Sequence, residues 1–196
     1  ISAIGEIVAI DIEPGSITDC NKNFHNSQFK DYLSSQLISL QQYSKIESNH
    51  ELFDLIISNP PYFSDSLKSS KETKNLARHN HSLSLEDIVV SSNQLLKKNH
   101  GRLALILPYN QSIKLQSIVK ETNIFSLTRV LNIKYKEGEQ IDRQIVEFIK
   151  NSDSRSEEPK EEYLTIHPKD GEYYYTREYC QIINNYYRKD FSTIKR

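Results

Sequence analysis

The residues of this chain best suited to chemistry form the run Asn59-Pro60-Pro61-Tyr62. It directly follows residues 53–58, an apolar run with the composition of a buried strand. Because prolines lack a backbone N–H and cannot continue a strand, the run predicts a stiff turn that presents carbonyl oxygens beside an amide and a tyrosine ring. Such a turn fits an exocyclic amino group, which donates two hydrogen bonds while its ring stacks on the tyrosine. The run therefore predicts a site that aims an aryl-amine nitrogen at a methyl donor.

The same run is also compatible with a purely structural role, since Asn-Pro and Pro-Pro pairs are common in rigid turns. Its context decides between the two interpretations. A strand of buried type precedes it, and a polar loop and a helix-like segment follow it. That order favours a functional turn at the end of a strand.

Length and composition predict an ordinary globular protein. The 196 residues fit one domain, or one domain with a short appendage, and 37% are hydrophobic and 26% charged. Lys and Arg number 25 against 26 Asp and Glu, which excludes a uniformly basic surface but allows a local basic patch. The two cysteines fit neither a disulfide framework nor a zinc site, which predicts a reducing, cytoplasmic location without a metal. No apolar run approaches the length of a membrane span, and no signal peptide is recognisable.

Hydrophobic periodicity and turn residues predict strands that alternate with helices. Ser84 and Asp87 resemble a capping box, and Asn99-His100-Gly101 is a signal for the end of a helix. The expected elements are strands over residues 7–12, 36–40, 52–58, 102–108, 127–134 and 143–150, helices over 14–26, 84–98 and 112–122, a long loop over 64–80, a charged linker over 151–162, and then a short strand and an aromatic-rich helix.

This order predicts an α/β fold with a mostly parallel sheet, to which the closing hairpin adds an antiparallel strand near one edge. Ligands of such sheets bind beyond the carboxyl ends of the strands. Asp11 ends the first expected strand and Asn59 follows the third. The two residues are therefore expected on the same edge of the sheet.

Together these residues resemble the Rossmann-like S-adenosylmethionine-dependent methyltransferases, in the branch that methylates amino groups of adenine, guanine or glutamine. The resemblance to one family, the bacterial tRNA1(Val) adenine-37 N6-methyltransferases, covers residues 7–150, and the tail around residues 170–179 also resembles that family. The runs that carry it are residues 59–63, 66–68, 75–79, 82–84 and 101–109.

The resemblance implies an enzyme that transfers a methyl group from S-adenosylmethionine to the N6 amine of an adenine in tRNA. The adenine would be number 37 in the anticodon loop of a valine tRNA, where it already lies outside a duplex. The family also implies helices on both faces of the sheet, a monomer or weak dimer, and no metal or membrane partner.

The resemblance also assigns roles around the turn. The side-chain oxygen of Asn59 and the carbonyl of Pro60 would each accept one N–H of the adenine amine, which holds the nitrogen in line with the methyl group. Tyr62 would stack on the base, an interaction worth ~1–3 kcal/mol. Pro61 and Phe63 would extend the substrate site, although a tyrosine after two prolines is also an ordinary packing residue.

The cofactor site is implied at the end of the first strand. Asp11 would accept hydrogen bonds from the ribose hydroxyls of S-adenosylmethionine, because a carboxylate offers two acceptor oxygens to a vicinal diol. Ile12 and Ile38 would flank its adenine, and Asn59 would also contact the cofactor. The plain alternative for Asp11 is a carboxylate at the start of a helix.

The expected loop after the turn is locally basic. Its position next to the turn favours contact with RNA phosphates, although charge runs are more often solvated faces. We expect Lys68, Arg78 and His79 to contact substrate. His79 has no second ligand at a suitable spacing and is not a metal ligand. The cationic and histidine residues of the loop are Lys68, Lys71, Lys74, Arg78, His79 and His81.

One departure from the family concerns the Asp-x-Gly-x-Gly loop that approaches the methionine moiety of the cofactor. The chain has five glycines and no such cluster before Asp11. We expect this loop to lie upstream of Ile1 in the gene. The expected domains are a catalytic core over residues 1–150 and a linker with a C-terminal extension, packed on the core, over residues 151–196.

Three other functions share features of this sequence. A protein glutamine N5-methyltransferase uses the same Asn-Pro-Pro-Tyr turn, but the run Asn75-Leu-Ala-Arg-His79 argues against it. A DNA adenine methyltransferase is expected to carry a separate large target-recognition domain. A non-catalytic RNA-binding scaffold with a relic site fits only if the Gly-rich loop is absent from the gene.

Overall fold

A computed structural model describes residues 5–61, 83–151, 158–169, 174–187 and 191. Its strands and helices alternate, as expected from the periodicity of the sequence. The strands are β1 (Ile7–Asp11), β2 (Leu33–Leu37), β3 (Leu55–Ser58), β4 (Arg102–Pro108), β5 (Phe125–Lys136), β6 (Arg143–Lys150) and β7 (Lys160–His167). The helices are α1 (Pro14–His25), α2 (Leu40–Tyr43), α3 (Leu85–Leu95), α4 (Tyr109–Thr122) and α5 (Arg177–Ile183), with short 3-10 turns at Lys30–Tyr32, Glu47–Asn49 and Asn184–Tyr186.

The strands form two sheets within the described residues. β1 and β2 pair in parallel, and the other five strands form a sheet in the order β3-β4-β6-β5-β7. β6 runs antiparallel to both of its neighbours, whereas β3 with β4 and β5 with β7 pair in parallel. The predicted α/β fold with a mostly parallel sheet and an antiparallel strand is confirmed. The antiparallel strand was expected near one edge, but β6 is the middle strand of the five in the described sheet, because β5 and then β7 add beyond it.

The expected strand over residues 36–40 is wrong in its position. β2 ends at Leu37, and Leu40 instead begins the short helix α2. Ser39 explains the change, because its hydroxyl accepts a hydrogen bond from the backbone N–H of Gln42 at 3.2 Å and so caps the helix.

The hydrophobic core lies on one face of the five-stranded sheet, where α3 and α4 cover it. Alternate residues of β4 and β6 point into this core, as expected for strands with one buried face. The buried cluster consists of Ile88, Val89, Leu96, Leu103, Leu105, Leu107, Leu115, Val119, Phe125, Val130, Val146 and Phe148. The opposite face of the sheet is more open, since Ile57 is 73% exposed there.

Helix α3 is fixed at both ends. The predicted capping box is confirmed: the Ser84 hydroxyl accepts from the Asp87 N–H at 3.0 Å, and the Asp87 carboxylate accepts from the Ser84 N–H at 3.1 Å. At the other end the buried Lys150 ammonium donates to the carbonyls of Asn93 and Leu96. Burial lowers the pKa of Lys150, and the Glu51 carboxylate 3.8 Å away opposes that shift. The ammonium thus ties α3 to the end of β6.

No helix in the described parts of the chain is both long and apolar enough to cross a membrane.

Candidate active site

The Asn-Pro-Pro run follows directly on β3, as the sequence predicts. β3 ends at Ser58, so Asn59 is the first residue beyond the carboxyl end of the strand. Asn59 is exposed, Pro60 is buried and Pro61 is exposed. Burial of Pro60 anchors the turn, since proline also fixes its own φ near −65°. The exposed amide therefore stands on a rigid support.

The start of β3 is held by backbone hydrogen bonding and by an ion pair. Phe53 pairs in parallel with Leu96, and the Lys97 N–H donates to the Phe53 carbonyl at 2.9 Å. The Lys97 ammonium lies 2.8 Å from the Asp54 carboxylate and holds the pKa of Asp54 below its usual range through their hydrogen bond. The strand that carries Asn59 is therefore fixed at the end opposite to the turn.

An open concavity of about 430 Å3 adjoins Asn59 on the less covered face of the sheet. Its floor is apolar and comes from alternate residues of three neighbouring strands: Ile57, Ala104, Ile106 and Ile145. A flat apolar floor beside amide and carbonyl acceptors suits a planar ring that carries an amino group. Sequence reasoning missed these residues, because β4 reads as an unbroken apolar run in which neither face stands out.

The predicted cofactor residues Asp11, Ile12 and Ile38 lie together at the carboxyl ends of β1 and β2. The Ile38 N–H donates to the Asp11 carbonyl at 2.9 Å, which joins the two strand ends. Ile12 is 62% exposed beside them. One acidic and two aliphatic residues thus lie close together at these strand ends. They are the residues expected to contact the ribose and the adenine of the cofactor.

The Asp11 carboxylate also has a structural role. Its Oδ1 accepts a hydrogen bond from the Glu13 N–H at 2.8 Å, which shapes the turn before α1. Glu13, not Asp11, caps the helix, through a bond from the Gly15 N–H to Oε1. Asp11 is exposed, and a carboxylate has two acceptor oxygens. The local bond therefore leaves acceptor capacity for a ligand.

Asp11 and Asn59 both lie at carboxyl ends of parallel strands, but those strands belong to different sheets. β1 pairs with β2 and β3 pairs with β4, and no strand pairing joins the two sheets within the described residues. The other predicted site residues, Tyr62, Phe63, Lys68, Arg78 and His79, lie outside the described residues, as does the expected loop over 64–80. In the described part of the chain, no cluster of His, Cys, Asp and Glu is suited to a metal ion.

Comparison with known proteins identifies the family. Residues 9–141 match the model of a family described as Eco57I restriction-modification methylase. Curated tRNA1(Val) (adenine(37)-N6)-methyltransferases align over 92% of the chain, with 33% identity in Parabacteroides distasonis and 31% in Actinobacillus pleuropneumoniae. The chain spans 73% of the first and 71% of the second relative. This chain belongs to the tRNA1(Val) (adenine(37)-N6)-methyltransferase family.

A solved structure supports the fold of the family member. The crystal structure of a predicted O-methyltransferase from Agrobacterium tumefaciens aligns with a TM-score of 0.64 and 15% identity, over 91% of this chain and 77% of that one. At this identity the likeness concerns the fold alone. It agrees with the Rossmann-like α/β architecture that the sequence predicts.

Proposed function

We propose that this family member transfers a methyl group from S-adenosylmethionine to the N6 amine of an adenine in tRNA, namely adenine 37 in the anticodon loop of a valine tRNA. The observation that carries the proposal is the Asn-Pro-Pro run, which directly follows the carboxyl end of β3 next to an apolar concavity. The names of the relatives at 31–33% identity support the choice of base and RNA.

The chain contributes positioning more than acid–base chemistry. The Asn59 side-chain oxygen and the Pro60 carbonyl accept the two N–H groups of the adenine amine, which turns its lone pair toward the incoming carbon. These acceptors also stabilise the positive charge that develops on nitrogen as the new N–C bond forms. We further propose that Tyr62 stacks on the base and that Pro61, Phe63, Lys68, Arg78 and His79 contact the RNA.

The residues at the ends of β1 and β2 fit the nucleoside part of the cofactor. We propose that the Asp11 carboxylate accepts from the ribose hydroxyls and that Ile12 and Ile38 flank the adenine. The exposure of Asp11 and Ile12 and the backbone bond between Ile38 and Asp11 support this assignment. When bound, S-adenosylmethionine supplies an activated methyl group on its sulfonium. Asn59 is assigned to both the cofactor and the substrate, because it stands at the point where the methyl group is passed.

The division into a catalytic core over residues 1–150 and an extension over 151–196 belongs to the same proposal. Two contacts support an extension that packs on the core. β7 adds to the sheet by pairing with β5, and the Cys180 side chain of α5 is buried. We propose that the enzyme acts in the cytoplasm as a monomer or weak dimer.

The proposal is tested with isotopically labelled S-adenosylmethionine, the full-length gene product and total tRNA from cells that lack this modification. We expect label in one valine tRNA, and nucleoside analysis should identify N6-methyladenosine. Label in protein instead of RNA would replace the proposal with glutamine methylation. If the protein neither transferred the methyl group nor bound the cofactor, the alternative of an RNA-binding scaffold would replace the proposal.

Replacement Asp11→Asn tests the cofactor assignment. Asparagine keeps one oxygen for the Glu13 N–H but loses the negative charge and the second acceptor. We expect the Kd for S-adenosylmethionine to rise about 10-fold or more, since hydrogen bonds to charged groups contribute about 1.5–3 kcal/mol. Calorimetry of cofactor binding measures the effect, and an unchanged melting temperature shows that the turn persists. Unchanged affinity would assign Asp11 to the turn alone.

A further inference from the structure

The carboxyl ends of β5 and β7 carry a group of aromatic rings that the proposed active site does not use. Their ring centroids lie between 4.7 and 5.6 Å from the next ring in the group. We call this group the aromatic cluster: Tyr135, His167, Tyr174, Tyr175, Tyr179, Tyr187 and Phe191.

His167 organises the cluster from its buried position at the end of β7. Its ring centroid lies 4.7 Å from that of Tyr135 and 4.9 Å from that of Tyr174, and it stacks on Tyr175 with an interplanar angle of 23°. Its Nδ1 lies 2.7 Å from the Tyr174 carbonyl, which can only accept, so Nδ1 donates. The Glu137 N–H donates to the His167 carbonyl at 3.0 Å. The rings beside His167 are therefore held in place.

Several of these supported rings are open to solvent. Tyr135 is 54% exposed, Tyr174 40% and Tyr187 61%. Exposed tyrosines on a rigid support are the side chains on which unpaired RNA bases stack, because the ring loses little freedom when a base arrives. Isolated exposed tyrosines would need no explanation, but a contiguous set supported by a buried histidine points to a ligand with several flat rings.

Sheet topology places the cluster on the same edge as the proposed active site. β3, β4, β5 and β7 run in one direction and β6 runs against them, so their carboxyl ends share an edge. Asn59 follows β3 at that edge, and His167 ends β7 four strands away. With about 4.8 Å between neighbouring strands, the lateral separation is roughly 19 Å. That is too far for the target base and suits nucleotides further along the same RNA.

Charged residues of both signs lie near the exposed rings, including Glu137 just after β5. Lys134 and Lys136 adjoin Tyr135 on β5 and pair in register with Thr165 and His167 of β7, and their side chains leave the strand on the face opposite to that of Tyr135. The whole chain has a net charge of only −1, so contact with RNA phosphates depends on local cations such as these. Exposed rings with lysines on the same strand end match the chemistry of a single-stranded RNA segment, whose bases stack while its backbone contacts nearby cations.

We propose that the aromatic cluster binds unpaired bases of the RNA substrate at a distance from the target adenine, with Tyr135 and Tyr174 as stacking surfaces. This inference rests on the proposed function, because it assumes that the substrate is RNA. It assigns part of RNA recognition to residues that do not touch the reacting atoms.

The test compares RNA binding by the full-length enzyme and its variants, with an unmodified valine tRNA as the probe. We expect Tyr135→Ala and Tyr174→Ala each to raise the Kd for tRNA about 5- to 100-fold, the factor that corresponds to one lost stacked base. Tyr135→Phe keeps the ring and should stay within about 2-fold of the wild type. Steady-state kinetics should show a raised KM for tRNA with kcat preserved, since the lost interaction is the same in ground and transition states.

Tyr163→Ala is the matched control, because Tyr163 is a tyrosine of β7 that lies outside the cluster and is more exposed than Tyr135 and Tyr174. It should leave tRNA binding unchanged, and melting curves confirm that each variant is folded. Unchanged tRNA affinity in Tyr135→Ala and Tyr174→Ala, with the wild type active on tRNA, would overturn the inference and assign the cluster to another partner, such as a protein. Failure of the wild type to methylate tRNA would instead overturn the proposed function.

Discussion

Asn59→Ala is expected to lower the rate of methyl transfer about 10²- to 10³-fold while the protein stays folded. Alanine removes the side-chain oxygen that holds the adenine amine, and loss of one such preorganised hydrogen-bonding group typically costs that factor. Asn59 is exposed at the end of β3, so its truncation leaves no cavity in the core. Single-turnover rates at saturating cofactor and RNA isolate the methyl-transfer step.

Two further variants test whether the effect of Asn59→Ala comes from the loss of its hydrogen-bond acceptor. Asn59→Asp keeps an oxygen at the same position, so it should retain more activity than Asn59→Ala. Asn23→Ala removes another exposed asparagine, in the last turn of α1, and should leave the rate unchanged. If Asn59→Ala instead turned over at the wild-type rate, the turn after β3 would be structural and the catalytic assignment would be lost.

The strands of the sheet could be predicted from the sequence because their composition is strongly apolar. β4 and β6 have the predicted bounds, and the hairpin of β5 and β6 is antiparallel as expected. β2 was misplaced, because its sequence Leu-Ser-Ser-Gln-Leu carries little apolar signal and the serine that ends it acts through a side-chain cap. A hydrogen bond from one side chain to the nearby backbone is difficult to predict from the composition of a segment.

The strand end at the candidate site was predictable because proline cannot continue a strand. The prolines after Asn59 indicated a turn at a strand end, and β3 ends there. The apolar floor beside it and the aromatic cluster were not predictable, because they combine residues from several strands whose order in the sheet is not sequential. His167 shows this clearly, since its ring contacts come from β5 and from the segment before α5.

Gly101 is needed for a reason other than the one its sequence signal suggests. Asn99-His100-Gly101 predicts the end of a helix, but α3 ends earlier, at Leu95, and Leu96 after it is extended. The three residues instead lie at a separate turn before β4, in which Asn99 is left-handed, with φ of 71°. Gly101 is required for space. A Cβ there would lie 2.6 Å from the Lys97 carbonyl oxygen and 2.8 Å from the Leu96 Cβ.

Gly101→Ala is therefore expected to lower the free energy of unfolding by about 3 kcal/mol, the upper part of the usual range for overpacking. The neighbouring backbone cannot move away easily, because the Lys97 N–H donates to Phe53 and the Leu96 carbonyl accepts from the Lys150 ammonium. The Gly101 carbonyl itself accepts from the Lys150 N–H at 2.8 Å, which fixes it against β6. Urea denaturation monitored by circular dichroism measures the loss.

Gly5→Ala is the control for Gly101→Ala, since a Cβ at Gly5 meets no atom within 4 Å. It should change the free energy of unfolding by less than about 0.5 kcal/mol, as exposed substitutions usually do. Equal stability of the two variants would mean that the connection between α3 and β4 relaxes freely, and that β4 is held by its strand pairing alone. A selective loss in Gly101→Ala would show that this close approach fixes β4, and with it the neighbouring strand β3 and the floor beside Asn59.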